Sequence, residues 1–418
     1  MERCLLVSVF NKLSVESNYE MTELRNLAES SLLEVVDEVY QLLDYPVSAT
    51  YIGKGKLEEL QQLVEIKDID LVIFNDELSP SQLSNISDVL ECEIWDRTNL
   101  ILEIFKRRAK TKEATLQVEL ATLNYMLPRL VGKRKNLSRI GGGSSSSTRG
   151  AGETQLELDR RYIETQIYKV KRELADIVSS RTVSRKQRVK NEIKSVAFVG
   201  YTNAGKSTTL NTLLKHIDQV EEKQVFAKDM LFATLDTTTR RIKLQNQHEF
   251  LVTDTVGFVS KLPHHLIESF KSTLEEIKEA SLIVHIVDAA SPFVDLQIET
   301  TNKVLHDLGI ENIPMIYLFT KCDLVVNRVL LPTKYEPFYI YSNKTLEGMD
   351  EFISAMEAIL FPDEERVTLL IPYDKGNIYN ILKENANIHN TEYLNEGTLV
   401  DVTLSKRLLD TYKEYIKK

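Results

Sequence analysis

The sequence predicts an α/β protein: a parallel sheet with helices on both faces, preceded by a small α/β domain and a long antiparallel helical hairpin, and followed by a small α/β appendage. Three observations carry this expectation. From Ser195 onward, short apolar runs alternate with helical stretches. Between Leu116 and Ile177, two apolar series recur at intervals of three and four, with a Gly/Ser run between them. The first hundred residues hold further short apolar runs bounded by turn-forming residues.

The chain has 418 residues, room for roughly two to four domains. With 43% hydrophobic and 27% charged residues, its composition excludes collagenous and low-complexity classes. Cys4, Cys92 and Cys322 are too widely spaced for a disulfide framework or a zinc site, which points to a reducing cytoplasm. No run of ~18 apolar residues is free of charge, so no transmembrane segment is expected.

The first domain, residues 1–104, opens on an apolar, β-branched run from Cys4 to Phe10, read as a strand rather than a secretion signal. Leu71 to Phe74 reads as a short buried strand ending in Asn75-Asp76, and Glu91 to Trp95 as a weaker one. Gly53-Lys54-Gly55-Lys56 precedes a helical pattern and reads either as a phosphate-binding loop or as a plain turn.

The second segment, residues 105–192, carries Leu116, Leu120, Leu123, Leu127 and Leu130, then Ile163, Ile167, Val170, Leu174 and Ile177. Each series lies on one helix face, so the two form an antiparallel hairpin packed along these seams. The connection, Gly141 to Gly152, is too rich in Gly and Ser for a helix or a strand. Charge singles this hairpin out. The chain is at −10 overall, yet Lys106 to Lys194 holds 22 Lys and Arg against 9 Asp and Glu, leaving 30 against 53 elsewhere. Such a stripe is either a polyanion-binding surface or a solvated helix face. Lys133, Arg134, Lys135, Arg139 and Arg149 crowd the tip, where packing gives no reason for so much positive charge, and they are the candidate RNA contacts.

In the third segment, residues 193–363, strands are expected at Ser195–Gly200, Phe250–Thr253, Leu282–Val287, Met315–Phe319 and Phe338–Tyr341. The last, residues 364–418, reads as a strand (Val367 to Ile371), a helix (Asn377 to Glu384), a strand (Leu399 to Leu404) and a basic helix.

Gly200-Tyr201-Thr202-Asn203-Ala204-Gly205-Lys206-Ser207, with Thr208 next in the helix, matches Gly-x4-Gly-Lys-Ser between a strand and a helix. The glycines let backbone N–H groups converge on phosphates, Lys206 reaches the terminal phosphates, and Ser207 is a Mg²⁺ ligand. Four later segments identify the nucleotide as GTP. Asp254-Thr255-Val256-Gly257 places a carboxylate near the metal shell and the Gly257 N–H at the γ-phosphate, which with Lys206 makes the catalytic pair. Thr320-Lys321-Cys322-Asp323 supplies a carboxylate for guanine N1 and its exocyclic amine, groups that adenine does not match. Ser342-Asn343-Lys344 follows the last strand, near the guanine carbonyl. Phe232-Ala233-Thr234-Leu235-Asp236 lies before Asp254, where a threonine can close on Mg²⁺. Phe258 stands where many GTPases carry a water-orienting glutamine, so slow hydrolysis by the free protein is expected. Arg240-Arg241 reads as a source of charge in cis or as a solvated pair.

With Thr148 to Glu157, Asp159-Arg160-Arg161 and Phe232 to Asp236 followed by Thr238-Thr239-Arg240, the chain resembles the ribosome-associated GTPases of the HflX family over nearly its whole length. The resemblance implies a Mg²⁺-dependent GTPase that binds the large ribosomal subunit and its RNA and acts in ribosome dissociation, rescue or maturation; the free protein is expected to be a monomer. It selects Thr234 as the metal ligand from among Thr234, Thr237, Thr238 and Thr239. Four positions depart from it: Ala151 and Thr237 stand for proline, Thr320 for asparagine and Asn343 for alanine. The last two imply weaker guanine affinity, with selectivity kept through Asp323. Two other readings stay open: a binding module locked by nucleotide with incidental hydrolysis, and an ATP-driven RNA remodeller using the Gly53 loop.

Overall fold

The computed structural model describes residues 2–130, 148–190, 193–217, 231–232, 237–244, 248–263, 266, 269–325 and 334–417. They divide into two compact units, Met1–Arg185 with Lys228–Asp236 and Val256–Thr273, and Lys186–Ala227 with Thr237–Thr255 and Leu274–Lys418.

In the first unit, β1 (Arg3–Phe10), α1 (Val15–Ser30), β2 (Glu34–Leu42), α2 (Lys54–Lys67), β3 (Leu71–Phe74), α3 (Pro80–Ser87), β4 (Glu93–Asp96) and α4 (Arg97–Arg108) form a parallel four-stranded sheet ordered β2-β1-β3-β4 with its helices. The central strands β1 and β3 read as continuous apolar runs because both faces are covered. Helix starts are set locally: Ser14 with Ser17, and Ser79 with Gln82, make reciprocal capping boxes, and Pro80 opens α3. Gly53 only precedes α2. Its N–H donates to Gln41, and Lys56 in the helix's first turn pairs with Glu59 at 2.8 Å, so the geometry supports the plain-turn reading. The boundary expected at residue 104 lies inside α4.

α5 (Lys112–Met126) and α6 (Thr148–Lys190) pack along the two apolar series. Leu116, Leu120 and Val170 are buried together, with Leu123, Ile167, Leu174 and Ile177 around them. Lys112 at the start of α5 meets Glu173 at 3.5 Å, as an antiparallel pair requires. One part of the expected seam differs. Pro128 has no N–H to continue the α-helical ladder, so Leu127 begins a 3₁₀ turn and Leu130 follows it, both beyond the end of α5. Of the tip cations, Lys133, Arg134, Lys135 and Arg139 lie outside the described residues, and Arg149 is placed only by its backbone in the first turn of α6.

The second unit contains β5 (Lys194–Gly200), α7 (Lys206–His216), β6 (Thr238–Lys243), β7 (Glu249–Asp254), β8 (Leu282–Asp288), α9 (Val294–Asp307), β9 (Met315–Thr320), β10 (Phe338–Ile340) and α10 (Met349–Leu360); the division of the chain into units falls within α8 (Lys271–Lys278), after Thr273. The sheet order is β10-β9-β8-β5-β7-β6, parallel except for β6. One face buries Phe198, Val252 and Ile286 with Leu210 of α7 and Phe352 of α10; the other packs Val287 and Phe319 against Ile298 of α9. In a parallel sheet covered on both faces, the carboxyl ends of the strands and the loops that follow them lie along one edge, where ligands bind in such folds. β11 (Glu365–Ile371), α11 (Gly376–Asn385), β12 (Asn387–Leu394), β13 (Gly397–Leu404) and α12 (Lys406–Tyr412) form an antiparallel appendage ordered β11-β13-β12.

His248, just before β7, stacks on Phe361 at 4.2 Å and sits between Glu357 of α10 and Glu364, each 2.7 Å from a ring nitrogen. Burial alone pushes the imidazole toward neutrality. The two carboxylates outweigh it and raise its pKa from 6.5 to about 9. The bonus is therefore complete below pH 6.5 and fades as pH rises through 9, with a ceiling of about 2–3 kcal/mol. His248→Gln is expected to lower the urea midpoint at pH 6 and to match the parent by pH 10. A gap between the two proteins that stays constant with pH would assign the effect to the stacking on Phe361 instead.

Candidate nucleotide site

β5 ends at Gly200, whose φ of 148° and lack of a side chain let the chain turn: a Cβ there would lie 2.1 Å from the Ile286 carbonyl oxygen. Asn203 and Gly205 also take positive φ, 61° and 95°, so the loop folds back on itself and Gly205 begins α7 with no side-chain cap. The first N–H groups of α7 therefore face the loop, which is how a helix start receives an anion. Tyr201, Thr202 and Ala204 are buried, packing the loop in place.

Lys206 lies beneath this loop, 6% exposed, with its Nζ donating to the Gly200 and Tyr201 carbonyl oxygens at 3.1 and 2.7 Å. Burial lowers its pKa from 10.5 to about 8, opposed by the attraction of Asp254. Ser207 donates its hydroxyl to Asp254 Oδ2 at 2.6 Å. Asp254 ends β7 and is fully buried, and Thr255 anchors the next turn by donating to the Phe198 carbonyl oxygen at 2.7 Å. Among the described residues no cluster of three or more His, Cys, Asp or Glu side chains gathers around a point. A hydroxyl beside one carboxylate nevertheless fits Mg²⁺, which keeps several waters and takes phosphate oxygens with few protein ligands.

The base loops converge in the same unit. Thr320 gives its hydroxyl to the Ala204 and Val287 carbonyl oxygens, at 2.7 and 3.0 Å. Lys321, at φ 58°, reaches the Asn203 carbonyl oxygen at 3.0 Å and Asp288 at 2.8 Å, tying base loop to phosphate loop. Asp323 accepts from the Ser342 hydroxyl at 2.7 Å, and the same hydroxyl receives the Lys344 N–H at 3.2 Å. Asn343 donates to the Thr209 hydroxyl at 3.2 Å.

Thr208 follows Ser207 in the first turn of α7. Ala233, Thr234, Leu235 and Asp236 lie outside the described residues. Phe232 is buried, edge-on to Phe105 with centroids 4.7 Å apart, and Phe105 meets Phe270 at 5.0 Å. Val256, Gly257 and Phe258 are buried and belong with the first unit, not with Asp254. Arg241 pairs with Glu249 across the β6–β7 ladder, a structural use of that cation.

One group of contacts has no signal in the local sequence. Arg97 at the start of α4 bonds Asn75 at 2.8 Å, Glu23, and the carbonyl and hydroxyl of Ser260, and Ser260 also bonds Glu23. Lys261 lies 2.8 Å from both Glu20 and Asp76. Three residues beyond Gly257, the chain is thus tied by buried charge to the N-terminal sheet.

A six-stranded sheet with a glycine loop between β5 and α7, Ser207 bonded to Asp254 at the end of β7, and Asp323 in the loop after β9 defines the class of P-loop GTPases. The family model described as 50S ribosome-binding GTPase matches residues 195–321, and models described as GTP-binding GTPase N-terminal and GTP-binding GTPase Middle Region match 18–106 and 108–188. GTPase HflX of Caldanaerobacter subterraneus subsp. tengcongensis is 44% identical over 415 residues, 99% of this chain and 94% of that one. GTPase HflX of Escherichia coli (strain K12) is 36% identical over 363 residues, 86% of this chain and 83% of that one. A GTP-binding protein from Sulfolobus solfataricus in complex with GDP aligns with a TM-score of 0.44 at 23% identity, over 86% of this chain and 99% of that one. The chain belongs to the HflX family of GTPases; it binds and hydrolyses GTP. No helix among the described residues is long and apolar enough to cross a membrane.

Proposed function

We propose that this GTPase binds the large ribosomal subunit through the basic tip of the α5–α6 hairpin and couples GTP binding and hydrolysis to ribosome dissociation, rescue or biogenesis. The observation that carries the reading is the charge distribution: 22 Lys and Arg against 9 Asp and Glu over Lys106 to Lys194, in a chain that is acidic elsewhere. The protein acts as a cytoplasmic monomer when free, with residues 1–104, 105–192, 193–363 and 364–418 as its four functional segments.

In this reading the loop from Gly200 to Gly205 holds the phosphates with its N–H groups, and Lys206 moves from the loop carbonyls to the terminal phosphates. Ser207, which bonds Asp254, and Thr234 would hold Mg²⁺, which would supply positive charge to the phosphates when bound. The Gly257 N–H meets the γ-phosphate. Asp323 selects guanine, with Lys321 against the base and Ser342 to Lys344 near its carbonyl. Phe258 is buried and its ring makes no hydrogen bond, so the attacking water has no side-chain orienter from that position. A partner must complete the site, and Ser260 and Lys261 link the segment after Gly257 to the domain that leads into the hairpin.

The test is GTP turnover with and without purified large subunits, alongside co-sedimentation in GDP and in a non-hydrolysable GTP analogue at several salt concentrations. Subunits are expected to raise turnover at least about tenfold, a conservative figure beside the orders of magnitude a completing partner supplies to such sites. Replacing Lys133, Arg134, Lys135, Arg139 and Arg149 together with alanine should remove that stimulation and flatten the log–log salt slope by up to roughly 0.7–0.9 per lost phosphate contact. Turnover indifferent to either subunit would leave a passive, nucleotide-locked binding module. An unchanged salt slope in the five-fold variant would make the basic stripe a solvated face.

A further inference from the structure

A carboxamide does reach the region of the base loops, but from Asn343 on the loop after β10 rather than from residue 320 at the end of β9. At position 320 the threonine hydroxyl has a single hydrogen, and the Ala204 and Val287 carbonyl oxygens, at 2.7 and 3.0 Å, compete for it. Residue 320 therefore has no donor left for a base. Asn343 brings an amide into the same space. A Cβ placed on Gly205 would lie 3.5 Å from Asn343 Nδ2 and 3.6 Å from Thr320 Oγ1, so both side chains close over the same point at the start of α7.

Asn343 is only partly satisfied there. Its Nδ2 donates one hydrogen to the Thr209 hydroxyl at 3.2 Å, and its Oδ1 is buried with no hydrogen-bond partner among the described residues. An amide nitrogen carries two hydrogens. With the amide turned over, the Thr209 hydroxyl would donate to Oδ1 and both N–H groups would be uncommitted, so at least one donor is spare in either orientation. The residue before it, Ser342, donates to Asp323 at 2.7 Å, which fixes the loop carrying Asn343 to the carboxylate assigned to guanine N1. Along a guanine held by its N1 edge, O6 and N7 come next, and both are acceptors.

We propose that the Asn343 carboxamide is a guanine-specificity residue, donating to the O6/N7 edge of the base and replacing the donor that Thr320 does not supply. This rests on the assignment of the guanine site to Asp323. Adenine presents an amino donor where guanine presents O6, so the same amide N–H disfavours adenine nucleotides.

The full-length protein is titrated with GDP, 7-deaza-GDP, which lacks the N7 acceptor, and 6-thio-GDP, in which sulfur weakens the O6 acceptor. Asn343→Ala is expected to bind GDP about tenfold more weakly, the size of one good hydrogen bond. The parent should lose affinity for at least one of the two analogues, and Asn343→Ala should bind all three alike. Thr320→Asn combined with Asn343→Ala, which moves the amide back, should recover GDP affinity to within about threefold of the parent, an outcome that damage to the fold cannot produce. If the alanine variant does not fold, Asn343→Ser, which keeps a polar contact for Thr209 without the amide, is expected to give the same pattern.

The proposal is overturned if Asn343→Ala keeps the parent's GDP affinity, if the analogues are penalised equally with and without Asn343, or if the double variant binds no better than Asn343→Ala. Xanthosine diphosphate binding by Asp323→Asn separates the two assignments. Without a gain there, the guanine site itself is misplaced; a gain with Asn343 inert removes only the present proposal.

Discussion

Lys206→Ala is expected to reduce GTP turnover by at least roughly 10²–10³-fold, the cost of removing one preorganised charge donor from a reacting centre. The structure adds a pH signature to this loss. Lys206 is buried, burial lowers its pKa to about 8, and its ammonium donates to the Gly200 and Tyr201 carbonyl oxygens and is attracted by Asp254. A bound diphosphate brings negative charge to this group and favours its protonated form. Below pH 8 the ammonium is already formed, so affinity does not vary with the lysine's titration. Above pH 8 the free protein has lost the proton and binding must take one up, so GDP affinity falls by up to about tenfold per pH unit. The window to measure is pH 7 to 9, below the titration of the guanine N1. Lys206→Ala should bind GDP more weakly and without this slope. A parent protein whose GDP affinity is flat from pH 7 to 9 would show that Lys206 keeps its charge despite burial.

What was legible in the sequence follows how local each feature is. The phosphate loop was legible in full because its chemistry needs contiguous residues: Gly200 for the turn, Gly205 to open α7, and Lys206 and Ser207 immediately after. The seams of α5 and α6 were legible because a helix repeats its buried face every three or four residues. Three strands were not. β2, β6 and β12 lie at sheet edges and carry Glu34, Asp37 and Glu38, then Arg240, Arg241 and Lys243, then Asn387, His389 and Asn390, which in sequence look like loops. Pairing at one edge stabilises their backbones without requiring apolar side chains. The contacts of Arg97 with Glu23 and Ser260 join positions 74 and 163 residues away, and no local pattern encodes such a pairing. No local pattern shows that Thr320 spends its hydroxyl on the Ala204 and Val287 carbonyl oxygens, because those partners lie 116 and 33 residues away.

Asp323→Asn is expected to exchange guanine for xanthine as the preferred base. The carboxylate of Asp323 has two acceptor oxygens, and guanine presents two donors on that edge, N1–H and the exocyclic amine. An amide keeps one acceptor and turns the other atom into a donor, which then faces the guanine amine donor to donor. Removing one good bond and burying an unpaired pair of donors costs about 3–4 kcal/mol, a loss of at least roughly 10²-fold in GDP affinity. Xanthine has a carbonyl in place of that amine, so the amide N–H gains an acceptor while N1–H keeps its own. Ser342 makes the exchange clean. Its hydroxyl lies 2.7 Å from Asp323 Oδ1 and donates to it. In the variant the same hydroxyl favours an oxygen at that position, placing the nitrogen on the other branch. GDP and xanthosine diphosphate titrations of parent and variant measure the exchange directly. A variant that binds both diphosphates about equally, each more weakly than the parent binds GDP, would mean that the amide is not held in one orientation and that Ser342 does not set it. One that still prefers GDP would mean that Asp323 is not the guanine-reading carboxylate.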